Sequence, residues 1–138
     1  MDPLERFLQA QAPVIDTVRA ELVRGRKASH WMWFVFPQIH GLGRSAMAQR
    51  YAIASPAEAK AYAAHPVLGA RLRELTALVL DVEGRSAHEI FGTPDDLKFH
   101  SAMTLFARAA PDEPVFRDAL EKYFGGHEDA ATVEILAL

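Results

Sequence analysis

The segment that decides the fold lies at residues 31–36 and reads Trp31-Met32-Trp33-Phe34-Val35-Phe36. Its aromatic and β-branched residues suit a buried strand, whereas Ser29 before it and Pro37 after it suit a short helix that is hydrophobic on every side. Periodicity cannot separate the two structures in so short a run. We favour a buried central helix because the segments on either side are helical.

Helix start and stop signals dominate the rest of the chain. Residues 55–58 and 86–89 are capping boxes of the Ser-x-x-Glu type. Apolar side chains recur at helical spacing through residues 68–79, and Gly125-Gly126 is a helix stop. No alternating strand pattern persists and no Asn-Gly or Asp-Gly hairpin signal occurs. The sequence therefore predicts a mainly α protein, with residues 1–138 forming one compact multihelical domain around the aromatic segment.

Composition narrows the class of protein further. The chain has 138 residues and no cysteine, which removes disulfides, thiolate catalysis and cysteine-type metal sites. Its net charge is −3 and its basic residues are dispersed, so nucleic-acid binding is disfavoured. The first residues lack the features of a signal peptide, and no apolar run approaches the ~18 residues of a membrane span. We expect a cytoplasmic protein that does not contact the membrane.

A glycine-containing stretch after the aromatic segment predicts an anion site. Gly41 and Gly43 precede a helical pattern, where backbone N–H groups converge and the helix dipole favours negative charge. Arg44 adds a forked donor that suits phosphate or carboxylate. Ser45 either contacts the anion or caps the helix, and capping is the better-founded role. The pattern lacks the Walker lysine and is not the dinucleotide fingerprint, so it does not identify the anion.

Residues around the tryptophans could supply the chemistry of such a site. His30 is the side chain best able to transfer a proton near neutral pH, although a hydrogen-bonded core histidine is the alternative. Trp31 and Trp33 either pack in the core or stack on a ligand ring. Lys27 and Gln38 flank them. The six histidines show no metal-site spacing, and we predict neither a metal nor a cofactor.

A second polar set begins the predicted helix that follows Thr93-Pro94. On a helical wheel, Asp95 and Lys98 fall in the same arc as the apolar residues. Opposite charges that point toward a core are costly unless they are paired or used. They form either an ion pair in a frayed first turn or the wall of a pocket whose floor is the aromatic segment. In the pocket, Asp95 would orient His30 or activate a water, and Lys98 would bind an anion.

These stretches carry a resemblance to a known family. Lys27-x-Ser29-His30-Trp31-Met32-Trp33-Phe34-x-Phe36-Pro37-Gln38, followed by Gly41-Leu42-Gly43-x-Ser45, resembles the signature of an uncharacterised bacterial family whose members often carry the label "calpastatin". The resemblance continues at scattered positions within residues 51–72 and 91–106 and at Thr132, so it covers nearly the whole chain. It implies a compact multihelical fold with a buried central helix and no established activity. The label conflicts with the core-forming helices, because that inhibitor is largely disordered. A looser likeness, in element order only, links the chain to proteins that process ADP-ribose or related N-glycosides.

The sequence thus predicts a pocket that binds or hydrolyses a small anionic metabolite, such as a nucleotide or an ADP-ribose-like compound. His30 and Asp95 are the candidates for an acid–base step. The predicted ligand contacts are Lys27, Trp31, Trp33, Gln38, Gly41, Gly43, Arg44, Ser45, Lys98, Ser101 and Thr104. The alternative is a non-enzymatic protein-interaction module whose aromatic segment is purely structural. Whether any bond is broken, and the oligomeric state, stay open.

Overall fold

The helices of the protein begin and end where the sequence supplies caps. In the computed structural model, which describes residues 2–138, Ser86 accepts a hydrogen bond from the Glu89 amide at 3.1 Å. The Glu89 carboxylate in turn accepts from the Ser86 amide at 2.9 Å, which completes the predicted capping box. Ser55 also caps its helix by accepting a hydrogen bond from the Glu58 amide. The Glu58 carboxylate, however, accepts from the Ala54 amide and not from the Ser55 amide, so this capping box is incomplete.

Ten helices are present in residues 2–138, and no β-strand forms in that part of the chain. An isolated parallel bridge joins Ile39 and Ile53. The helices are α1 (Glu5–Gln11), α2 (Ile15–Val23), α3 (Met32–Val35), α4 (Ala46–Arg50), α5 (Pro56–Ala64), α6 (Leu68–Leu80), α7 (Ala87–Phe91), α8 (Asp95–Ala109), α9 (Pro114–Phe124) and α10 (Ala130–Leu136). The predicted mainly α, multihelical fold is confirmed.

Helix α8 is the centre of the packing. It contacts α9, α5, α7 and α10, and its residues from Ser101 to Ala107 are all buried. Phe99, in its second turn, packs edge to face against Phe36, with ring centroids 5.1 Å apart. This contact ties α8 to the aromatic segment.

The aromatic segment forms the short helix α3 inside the core. Met32, Phe34 and Val35 are buried within it, and Trp31 and Phe36 are buried at its two ends. The predicted buried central helix is therefore confirmed. Its position places the loop before α3 next to the first turn of α8, where the candidate site lies.

No helix within residues 2–138 has both the length and the hydrophobicity that crossing a membrane would require.

Candidate functional site

Side chains from the two predicted stretches meet in one cleft of about 470 Å³. One wall comes from the loop before α3 and from α3 itself, with Lys27, His30 and Trp33. The opposite wall is the first turn of α8, with Asp95 and Lys98. The remaining lining residues are Met32, Ser45, Thr93 and Pro94. The five residues of the two walls were all expected from the sequence, and the structure brings them together.

Two lysines share one carboxylate in this cleft. The Lys27 ammonium lies 2.7 Å from Asp95 Oδ2, and the Lys98 ammonium lies 3.7 Å from Asp95 Oδ1. The three side chains are only 8%, 18% and 21% exposed for Lys27, Asp95 and Lys98 respectively. Two cations and one anion leave a formal charge of +1 in partly desolvated surroundings, where electrostatic interactions are stronger than in bulk water.

The two tryptophans have different positions. Trp33 lines the cleft, is only partly buried, and has the Lys98 ammonium 5.0 Å from its ring centroid. Trp31 is 1% exposed, and its indole N–H donates to Glu21 Oε1 at 2.9 Å. Trp31 is thus a core residue, which corrects the prediction that it contacts a ligand. Only Trp33 presents ring surface to the cleft.

A buried carboxylate holds the loop before α3 in place. Glu21 of α2 is 3% exposed and accepts hydrogen bonds from the Ala28 and Ser29 amides, the Ser29 hydroxyl and the Trp31 indole at 2.5–3.1 Å. Burial raises the pKa of Glu21, but these hydrogen bonds outweigh it and lower the pKa to about 2. Glu21 was not among the residues expected from the sequence. Its position three residues after the buried Val18, on the same face of α2, was the available signal.

His30 lies at the exposed edge of the cleft, and no hydrogen bond from within residues 2–138 engages its ring. Both oxygens of Asp95 face lysine ammonium groups. Asp95 therefore does not orient His30, which corrects that part of the predicted acid–base pair. The proposed role of His30 in proton transfer stays a prediction.

The glycine-containing stretch forms a different hollow. Gln38, Gly41, Gly43 and Arg44 line a second cleft of about 390 Å³, and Arg44 is not among the residues of the first. The Ser45 hydroxyl accepts from the Ala48 amide at 3.1 Å and so caps α4, as the better-founded role required. Arg44 does not line the cleft that contains Lys27 and Lys98, so the predicted single anion site that combined all three is corrected.

Of the predicted residues further along α8, Ser101 faces a hollow and Thr104 does not. Ser101 lines a third cleft, of about 320 Å³. Thr104 is fully buried, where its hydroxyl donates to the His100 carbonyl at 2.9 Å and accepts from the Asp129 amide at 2.9 Å. On a helical wheel of α8 alone, Thr104 falls outside the apolar arc, but in the structure the start of α10 covers this face. The predicted ligand contact for Thr104 is therefore corrected.

Across the part of the chain that the structure describes, no three or more His, Cys, Asp or Glu side chains gather closely enough to hold an ion. The expectation of a protein without a metal stays a prediction.

Comparison with known proteins gives a family but no activity. A family model described as "Protein of unknown function (DUF1810)" matches residues 1–136. The crystal structure of the conserved hypothetical protein Rv1873 from Mycobacterium tuberculosis is similar, with a TM-score of 0.97 and 57% sequence identity over 99% of each chain. Neither description carries a calpastatin label. None of the curated proteins matches the sequence.

Proposed function

The chain belongs to this family of proteins of unknown function, and we propose that it binds a small anionic metabolite in the cleft formed by Lys27, Trp33, Asp95 and Lys98. The observation that carries the proposal is the pair of lysines on one carboxylate beside a partly exposed indole ring.

Lys98 is the lysine that argues for a bound ligand. Lys27 at 2.7 Å is sufficient to neutralise Asp95. Lys98, at 3.7 Å, is beyond hydrogen-bonding distance of that carboxylate, so its ammonium keeps donors for another acceptor. A partly buried cation without full compensation is costly, and an anionic group of a ligand would remove that cost. A structural ion pair accounts for Lys27, whereas Lys98 has only a longer contact to Asp95 and the face of the Trp33 ring.

Trp33 narrows the class of anion. An indole face suits a planar ring, and the neighbouring cations suit phosphate. A cleft of about 470 Å³ is within the ~300–1,000 Å³ typical of small-molecule sites. A nucleotide or an ADP-ribose-like compound combines these features. His30 at the edge of the cleft would carry the proton transfer if the bound compound is hydrolysed.

Thermal unfolding against a panel of nucleotides, ADP-ribose and sugar phosphates tests the proposal. A ligand present at 100 times its Kd stabilises the folded state by about 2.7 kcal/mol. We expect at least one member to raise the Tm of the wild type, and Lys98→Met to lose that rise while keeping the aliphatic stem. Lys60→Met is the matched control, because Lys60 is an exposed lysine outside this cleft.

Arg44→Ala separates the two hollows. Because Arg44 lies in the second cleft, we expect this variant to keep the ligand-induced rise in Tm. The proposal is wrong if no panel member raises the Tm, or if Lys98→Met and Lys60→Met respond to the ligand equally. Chromatography of the best ligand after incubation with the wild type and with His30→Gln then shows whether a bond is broken and whether His30 is needed.

A further inference from the structure

The lysine-containing cleft adjoins the third cleft, of about 320 Å³, at Lys98. Pro94 and Lys98 line both clefts, so a ligand bound to Lys98 would lie at the edge of the third cleft. The polar residues beyond Lys98 are Gln38, Ser101 and Asp129. They come from three separate parts of the chain: the segment after α3, the body of α8 and the residue that precedes α10.

Hydrogen bonds to one oxygen of the Asp129 carboxylate hold it in place and leave the other oxygen free to accept a further hydrogen bond. Its Oδ2 accepts from the Ser101 hydroxyl at 3.1 Å and from the Thr132 amide and hydroxyl at 3.1 and 2.5 Å. Its Oδ1 accepts no hydrogen bond from residues 2–138. Capping of α10 explains the contacts of Oδ2 only. The second oxygen therefore keeps its capacity to accept a hydrogen bond from a ligand, and Asp129 lines the hollow.

Gln38 supplies a group that both donates and accepts. Its backbone is held by the Ile53 amide, which donates to the Gln38 carbonyl at 2.8 Å. Gln38 lines both the second and the third cleft, and its side chain forms no hydrogen bond with any other residue of the described chain. The Asp129 carboxylate repels a second anion here, whereas a hydroxyl can donate to a carboxylate and accept from an amide.

We propose that Gln38, Ser101 and Asp129 form a subsite for sugar hydroxyls, and that the ligand is a phosphorylated sugar or a nucleotide sugar whose anionic group lies at Lys27 and Lys98. This inference rests on the proposed function and names its substrate class. It adds Asp129, which sequence analysis did not single out, to the residues that recognise the ligand.

NMR titration of the 15N-labelled protein with inorganic phosphate and with ribose 5-phosphate tests the subsite. The two probes share the anion, and only the second carries hydroxyls. We expect ribose 5-phosphate to bind more tightly to the wild type. In Asp129→Asn, we expect its Kd to rise by about tenfold, because a hydrogen bond to a charged group is lost. The Kd for phosphate should stay the same or fall slightly, because the variant removes a negative charge. Loss of charge alone therefore cannot mimic the predicted result.

Asparagine caps helices about as well as aspartate, so Asp129→Asn should fold. Gln38→Ala, which removes a partly exposed side chain without a protein partner, is the second variant, and the exposed Asp118→Asn is the matched control. If Asp129→Asn and Gln38→Ala both bind ribose 5-phosphate as tightly as Asp118→Asn does, the subsite is overturned while the anion site stands. If phosphate does not bind, or binds equally to Lys98→Met, the proposed function itself is wrong.

Discussion

Glu21 is the residue on which the loop before α3 depends. Its carboxylate accepts four hydrogen bonds from residues 28–31, immediately after the lysine that enters the cleft. Glu21→Gln keeps the shape of the side chain but removes its charge and turns one acceptor into a donor. We expect a loss of about 3 kcal/mol in the free energy of unfolding at neutral pH, measured by urea denaturation.

The exposed Glu134→Gln is the control, with an expected change of no more than about 0.5 kcal/mol. Because the pKa of Glu21 is lowered to about 2 in the folded state, its contribution is complete above about pH 4.5 and is lost as the pH falls toward 2. The difference between wild type and Glu21→Gln should therefore shrink over that range. Equal stability of the two Gln variants at pH 7 would contradict this role of Glu21.

The two tryptophans provide a residue-level test of which ring faces the ligand. Trp33 lines the cleft, whereas Trp31 is sealed in the core. Because these are the only tryptophans of the chain, we expect a ligand from the panel to change the fluorescence of the wild type and of Trp31→Phe. The change should be absent in Trp33→Phe. A response that persists in Trp33→Phe and disappears in Trp31→Phe would show that the assignment of the rings is reversed.

The sequence alone does not show which of the two tryptophan rings faces the cleft. A run that is hydrophobic on every side gives no face that can be recognised as the outer one, so Trp31 and Trp33 were equivalent candidates. The role of Asp129 could not be predicted from the sequence for a different reason. It joins the site only through the packing of α10 on α8, about thirty residues away along the chain, and no local pattern encodes that contact.

At the level of elements, Gly69 sets how closely α6 approaches the end of α5. A Cβ at this position would lie 2.1 Å from the Ala63 carbonyl oxygen, a backbone atom that cannot move aside cheaply. Gly→Ala within a helix normally stabilises by up to about 1 kcal/mol. Here we expect Gly69→Ala to destabilise by about 2 kcal/mol in urea denaturation.

The neighbouring Ala70 is exposed and reports helix propensity alone, so Ala70→Gly is the control and should cost up to about 1 kcal/mol. Alanine would then be preferred at position 70 and glycine at position 69. An increase in stability in Gly69→Ala would show that the two helices are not in contact there.

The helices themselves were easier to predict from the sequence than the contacts between them. The Ser86–Glu89 capping box, the apolar stripe of α6 and the inward-facing Asp95 and Lys98 all follow from local spacing, and each is found in the structure. Thr104 and Arg44 were misplaced because their environments depend on other elements. The start of α10 covers Thr104, and the loop after α3 carries Arg44 into a separate hollow.

At the scale of the whole molecule, the packing argues for one cooperative unit. Helix α8 packs most closely against α5, α7, α9 and α10, and Phe36, Phe91 and Phe99 join the aromatic segment to α7 and α8. We propose that residues 1–138 unfold as a single domain. Urea curves from far-UV circular dichroism and from tryptophan fluorescence should coincide, as two-state unfolding requires. Two separate transitions would show that the chain holds independently folding parts.

The crystal structure of the protein soaked with ADP-ribose tests the central claim most directly. We expect phosphate oxygens of the ligand within hydrogen-bonding distance of the Lys98 ammonium, and a ring of the ligand against Trp33. Density confined to the hollow that contains Arg44, or an empty cleft at a concentration that saturates binding in solution, would contradict a ligand site built on Lys27, Asp95 and Lys98.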